Sequence, residues 1–175
     1  MTKLVRFRLD DDAVAAVTDL RTRAAGPGVP VPPDRPALTA AAAASIPQAA
    51  RTALAAELQV IALPTLWLAT LGSTAARPDE LVLAAVVDAE LLAVHAAVHD
   101  ALAGRAQAPV AAHLPGAWWP HCVLALSRPA AAFAALHPVE PIRARITGVE
   151  IADSRSGEVA AVSSGPPGVN LSPWR

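Results

Sequence analysis

Thr65-Leu66-Trp67-Leu68-Ala69-Thr70-Leu71 and Leu81-Val82-Leu83-Ala84-Ala85-Val86-Val87 are two apolar runs separated by a polar loop containing Arg77-Pro78-Asp79. Each has the length and aliphatic content of a strand, and nothing between them has helical spacing. Strands joined without a crossover helix pair antiparallel. This pair argues against an all-parallel sheet and favours an α+β fold.

Upstream, Lys3 to Leu9 alternates, with Val5, Phe7 and Leu9 on one face and Arg6 and Arg8 on the other, which predicts a half-buried strand. Asp10, Asp11 and Asp12 form an acidic helix start. Val14, Val17 and Leu20 follow at helical spacing, and Gly26-Pro27-Gly28 is the stop. Val29 to Pro36 holds four prolines and reads as an extended loop. In Ala37 to Ser45 the alanine run favours helix by propensity, while the bracketing Pro36 and Pro47 say only that the segment is short. Pro47 suits the first turn of a second helix running to about Gln59.

Downstream, Asp88 caps a helix over Ala89 to Ala103, with Leu91, Leu92, His95, Val98, His99 and Leu102 at core spacing and Gly104 as the stop. Residues 105–120 read as a loop ending in Trp118-Trp119-Pro120, and His121 to Ser127 as a short strand. Pro129 to Leu136 reads as a short helix. Ile142 to Ala152 alternates as a long strand, with Arg143, Arg145 and Thr147 on one face. Glu158 to Val162 returns as a strand after a turn. The order is β-α-β-α-β-β-α-β-α-β-β, and β-α-β-α-β occurs in each half, hinting at internal duplication. We expect one domain over residues 1–162 and a loose tail over 163–175, where three prolines and two glycines fall.

Composition narrows the function classes. The chain has 175 residues, 54% hydrophobic and 17% charged, so it folds rather than staying disordered. Tyr is absent and Phe occurs twice, so the core is expected to be small aliphatic side chains with the four Trp as large pieces. Fourteen basic residues against fifteen acidic ones give a net charge of −1. No global basic field exists to hold a long nucleic-acid duplex, although a local phosphate site is compatible with this balance. Lys3 is the only lysine, so the other cations are arginines suited to bidentate recognition. The single Cys122 rules out an internal disulfide and a multi-Cys zinc site. No basic-then-apolar leader opens the chain, and Leu58 to Ala76 is broken by Gln59, Pro64 and Gly72 as a membrane span. The expectation is a cytoplasmic protein without a membrane partner, and no cofactor signature is present.

Gly-rich phosphate loops and Gly-x-Ser-x-Gly elbows are missing. Five His and the strand-borne arginines remain. Trp119-Pro120-His121-Cys122-Val123-Leu124-Ala125 resembles the second signature of the two-histidine phosphoesterases, the 2'-5' RNA ligase-like proteins: His-x-Thr or His-x-Ser on a strand, often after Trp and Pro. Arg35-Pro36-Ala37-Leu38-Thr39 falls where the first His-x-Thr belongs. Leu91 to His95, Ile142 to Val149 and Asp153 to Glu158 also look like this family, so the resemblance runs in order through residues 3 to 160.

That resemblance implies two pseudo-symmetric lobes, with antiparallel sheets around a central cleft and helices outside. Each lobe lays one motif strand on the cleft floor, its His and hydroxyl pointing the same way. The two imidazoles act as general base and general acid on a phosphodiester while the hydroxyls hold phosphate oxygens. The family opens 2',3'-cyclic phosphates or related bonds at RNA ends without a metal. A nucleotide or short RNA end is the partner implied.

This chain departs from the pattern twice. Ala37 stands in place of the first His and Val123 in place of the second hydroxyl, leaving Thr39 and His121 as candidate catalytic residues. Losing one proton-transfer group costs about 10²–10⁴ in rate. The expectation is weak or absent phosphodiesterase activity. Arg35, Arg143, Arg145, Arg6 and Arg8 are candidates to hold phosphate, against the alternative of a solvated sheet face. Trp118 and Trp119 either stack a base or fill the core. His113 either leans into the cleft in place of the missing His or sits on an exposed loop. His95 and His99 have metal-ligand spacing but no evident third ligand, so helix packing is the expectation and no metal is predicted. His137 is expected on the surface. Cys122 should point away from His121 into the core. Besides a diverged esterase, a non-catalytic nucleotide-binding protein and an interaction protein on the same fold remain open.

Overall fold

The computed structural model describes residues 2–164 apart from Pro27 and Arg128. Residues 165–175, most of the expected tail, lie outside the described residues. Strand β1 (Lys3–Leu9) leads to α1 (Asp11–Ala24), β2 (Ala37–Ser45), α2 (Gln48–Val60), β3 (Thr65–Thr74) and β4 (Arg77–Ala85). Then come α3 (Ala89–Leu102), the short β5 (Gln107–Pro109), a 3-10 turn over Ala111–His113, β6 (His121–Ala125), α4 (Pro129–Leu136), β7 (Ile142–Asp153) and β8 (Val159–Ser164). The order follows the sequence patterns with β5 added. The last strand ends two residues inside the expected tail.

Local chemistry accounts for the helix starts. The Asp10 carboxylate accepts from the Ala13 amide at 3.0 Å and starts α1, and Asp88 does the same for α3 through the Leu91 amide at 2.8 Å. Gly104 follows α3 at a φ of 67°, a left-handed position where glycine carries no Cβ penalty. One ambiguity is resolved and one reading is corrected. The alanine run 37–45 is strand, because its backbone is paired to β1 on one side and β5 on the other and Leu38 and Ala40–Ala43 are buried. Tertiary pairing there outweighs a helix preference of a few tenths of a kcal/mol per residue. Arg77-Pro78-Asp79 belongs to β4 rather than to a loop, since Thr74 pairs with Arg77 and the hairpin turns at Ala75-Ala76.

The eight strands form one antiparallel sheet in the order β5-β2-β1-β7-β3-β4-β6, with β8 beside β7. Strand β7 is the shared element: Ile142–Arg145 pairs with β3 and Ile146–Asp153 with β1. Helices α1 and α4 pack together, α1 against β6 and β7 and α4 against β4, while α2 and α3 pack together, α2 against β8 and α3 against β2. Strands β2 and β6, near opposite ends of the sheet order, touch each other. There the Cys122 thiol donates to the Ala37 carbonyl at 3.6 Å.

Strand alternation sorts the side chains. Val5, Phe7, Leu38, Ala40, Cys122, Leu124, Ala144 and Ile146 are buried in the core. The intervening Arg6, Arg8, Thr39, His121, Val123, Arg143, Arg145 and Thr147 line two concavities. The core's large pieces are Phe7 and leucines such as Leu54, Leu66, Leu83 and Leu136, each contributing about 1.5–3 kcal/mol by burial. The tryptophans fill that role only in part: Trp67 and Trp119 are exposed, Trp118 is half-buried and packs against the core, and Trp174 lies outside the described residues. Among the described residues no helix is long and apolar enough to cross a membrane.

Candidate functional site

The meeting of β2 and β6 leaves a cavity of about 660 Å³. Strand β2 contributes Ala37 and Thr39 and strand β6 contributes His121 and Val123, so all four positions of the two degenerate motifs line one volume. Trp119, His113, Arg6, Arg21, Asp34, Arg77 and Glu80 line it as well.

His121 has its ring fixed by the backbone. Its Nδ1 lies 2.7 Å from the Trp119 carbonyl. A carbonyl only accepts, so Nδ1 carries the hydrogen in the neutral ring and Nε2 keeps its lone pair. That tautomer can take a proton at Nε2, or hold one there for donation once charged. The Trp119 ring sits 5.4 Å from that of His121. Its Cη2 lies 3.3 Å from where a Cβ on Gly72 would be, so the bare backbone of β3 seats the indole.

His113 lines the cavity from the 3-10 turn. Burial first, then the neighbouring His121, His99 and Arg77, hold its pKa below the usual histidine value. Its placement follows from His95. That ring is stacked on Trp118 at 3.9 Å and 3°. Its Nε2 lies 3.0 Å from both the Ala40 and the His113 carbonyls, so Nε2–H donates to a bifurcated pair. Burial and then His99 push its pKa down to about 4. His99 also aims Nε2 at the Ala40 carbonyl, at 3.2 Å. The pair at metal-ligand spacing therefore ties α3 to β2 and to the 3-10 turn. No group of three or more metal-ligating side chains occurs among the described residues. His137 is exposed and stacks on Phe133 at 5.0 Å. Cys122 is fully buried behind His121, which pushes its thiol up to about 12.

The structure divides the arginines named from the sequence. Arg6 lines the cavity, but its guanidinium is already matched: Nε and Nη2 donate to Glu150 at 2.9 and 2.7 Å, and Nη1 to Asp34 at 2.7 Å. Arg8, Arg35, Arg143 and Arg145 line a separate, wider depression of about 1190 Å³, together with Asp10, Asp11, Asp12, Thr65, Thr147 and Glu150. Arg35 pairs with Asp11 there at 2.7 Å. These four arginines are not brought to Thr39 and His121: Arg143 and Arg145 lie on β7, Arg8 near the end of β1 and Arg35 in the loop before β2, and all four line the other concavity. Trp118 does not line the cavity either. Its Nε1 donates to the Thr39 carbonyl at 2.8 Å and its ring meets Phe7 edge-on at 6.2 Å, so it packs between α3 and the sheet.

Sequence reasoning passed over Arg21, Asp34, Arg77 and Glu80. Arg21 carried a legible signal: it sits four residues after Val17, on the face of α1 that also buries Ala13 and Ala24. A charge at a core-facing helical position demands partners.

The fold is similar to that of TT0787 of Thermus thermophilus, with a TM-score of 0.60 and 18% sequence identity over 94% of this chain and 97% of that one. At that identity the likeness shows a common fold. No family model matches the chain, and no curated protein matches it significantly.

Proposed function

We propose that this protein is a diverged two-histidine phosphoesterase-like protein whose cavity binds a phosphate ester, a cyclic nucleotide or an RNA end, with proton transfer crippled by the loss of the first histidine. One observation carries the reading: Ala37, Thr39, His121 and Val123, distant in the chain, line a single cavity on two touching strands. The fixed tautomer of His121 supports a proton-handling role, and the Thr39 hydroxyl is suited to a phosphate oxygen. The two helix pairs, α1 with α4 and α2 with α3, joined through the shared β7, are compatible with two pseudo-symmetric lobes around a cleft.

In this reading one imidazole serves where the family uses two. Turnover of a 2',3'-cyclic phosphate or 2'-5' linkage falls by about 10²–10⁴ relative to a two-histidine site. Ala37 and Val123 are apolar walls where polar groups would act, which favours a second reading: a nucleotide- or phosphate-binding protein without turnover. Ala37→His combined with Val123→Thr separates these from an unrelated use of the fold. The double variant is expected to raise 2',3'-cyclic nucleotide hydrolysis by about 10²–10⁴ over the original chain. A folded double variant that gains nothing, together with no binding of nucleotides by the original chain, refutes both readings.

A further inference from the structure

We propose that Arg21 is the anion-recognition group of the cavity, presenting its free Nη2 to a phosphate-ester oxygen at the seam between the strands that carry Thr39 and His121. This deepens the phosphate-ester reading and rests on it.

Arg21 reaches from the last turn of α1 into the seam. Its Nε donates to the Val123 carbonyl on β6 at 3.0 Å. Its Nη1 donates to the Asp34 carbonyl, just before β2, and toward that of Pro32 at 3.4 Å. One guanidinium thus bridges the approaches to both motif strands. The residue is 6% exposed, yet it lines the cavity.

Two features separate it from the other cations there. Arg6 is met by two carboxylates and Arg77 by Glu80 at 2.8 Å. Among the described residues Arg21 has no carboxylate oxygen within the 4.0 Å of a salt bridge, and its partners are neutral carbonyls. Carbonyls satisfy N–H groups but do not neutralise the charge, which in this desolvated place is offset only in part by the more distant Asp34 carboxylate, a cost that an arriving anion would relieve. The nearest acid, Asp34, turns its carboxylate to Arg6.

The second feature is Nη2. It has no protein partner among the described residues, yet no fully buried side-chain nitrogen or oxygen lacks one. Nη2 therefore reaches open volume, and the volume Arg21 lines is the cavity. A guanidinium N–H pair aimed at a phosphate oxygen makes charge-assisted bonds that discriminate a phosphate ester from the bare nucleoside. This donor would offset the hydroxyl missing at Val123.

The test uses the full chain with adenosine 2'-monophosphate, adenosine 2',3'-cyclic phosphate and adenosine as probes in calorimetry. If the original chain binds neither phosphate, the phosphate-ester reading itself fails, and this proposal with it. If it binds them, folded Arg21→Gln is expected to weaken the two phosphates about 100-fold, and Arg21→Lys about tenfold, with adenosine affinity unchanged. Equal losses for adenosine and its phosphates mark Arg21 as a strap only and overturn the proposal, as does phosphate affinity within about twofold of the original. Should Arg21→Gln fail to fold, nitrogen-detected NMR on the original chain decides. The Arg21 side-chain resonances are expected to shift with adenosine 2'-monophosphate and not with adenosine. Arg21 signals that stay still while the His121 ring signals move overturn it.

Discussion

Two concavities open beside the sheet, one lined mainly from β1 and β7 and the other from β2, β4 and β6 with Arg6 of β1, and the wider one carries more arginine. Arg8, Arg35, Arg143 and Arg145 face it, but so do Asp10, Asp11, Asp12 and Glu150, and the formal charges of the lining cancel. The smaller cavity has three arginines against Asp34 and Glu80, two histidines, and one cation with no carboxylate contact. Cation number therefore misidentifies the anion site. What distinguishes the cavity is the pairing state of its charges and the chemistry of the strands beneath them. An arginine between two carboxylates, like Arg6, has its field neutralised at close range. An exposed arginine, like Arg143, has its field screened by water and salt.

The strongest way to break this contrast is to remove one key residue from each concavity in a chain that turns over. In the Ala37→His, Val123→Thr background, His121→Ala is expected to abolish the restored rate, a loss of about 10²–10⁴ in kcat. Replacing Arg143 and Arg145 together by Ala should change kcat/KM by no more than about fivefold, the scale of exposed charges, and only at low salt. Steady-state kinetics at two ionic strengths read both. A larger effect from the arginine pair would move the reacting group to the wider depression.

The second contrast is in acid sensitivity. His95 holds the cavity wall by donating to Ala40 and His113, and its pKa is lowered to about 4. Between the ordinary histidine value near 6.5 and about 4, the unfolded chain takes up a proton that the folded chain refuses. Stability is then complete above about pH 6.5 and declines as pH falls to about 4, by about 3 kcal/mol. His113, also lowered, acts in the same direction. At the far end of β7, the Asp153 carboxyl is held at about 2 by Lys3 and by the amides of Arg155 and Ser156, so its contribution is lost only as pH falls below the usual carboxylate range. Urea midpoints at pH 7 and pH 4.5 should therefore differ, and His95→Gln should flatten most of the difference. Hydrogen exchange at pH 4.5 should loosen residues 111–119 before β7. A stability curve flat from pH 7 to pH 4.5 would mean that His95 is not held neutral.

Where the backbone was governed by local chemistry, the sequence was legible. Alternation exposed β1 and β7, and Asp10 and Asp88 marked the starts of two helices. Elements made by pairing to distant strands were legible only in part. Ala37–Ser45 has a helical composition that left it ambiguous by propensity, and it is strand because β1 and β5 supply its partners. Strand β5 is three residues long and passes through Ala108 at a φ of 47°, a conformation that no local pattern predicts. Within the site, motif position told which strands matter, but not which cations accompany them. Arg6 and Arg8 share a strand face in sequence, and the structure sends one to each concavity. Trp118 and Trp119 are neighbours outside any periodic segment. One packs on His95 and the other faces the cavity, a choice set by α3 and Gly72 rather than by their own local sequence.

Gly72 offers the smallest and most local test. A Cβ there would lie 3.3 Å from Cη2 of Trp119, tighter than ordinary contact, so the indole must shift by a few tenths of an ångström. Trp119 is 36% exposed and can give way, and Gly72 does not occupy the positive-φ region, so Ala adds no backbone strain. In strand context Ala also recovers up to about 1 kcal/mol of the entropy that glycine loses on folding. Gly72→Ala should thus change stability by less than about 1 kcal/mol while moving the indole toward the cavity. The measurable consequence is local: the Trp119 and His121 ring signals shift, nucleotide affinity falls a few-fold, and the wider depression is unaffected. Unchanged Trp119 signals would mean that the indole does not rest on β3. A large loss of stability would mean that the ring cannot move, which would make Trp119 part of the rigid frame of the cavity rather than an adaptable face for a base.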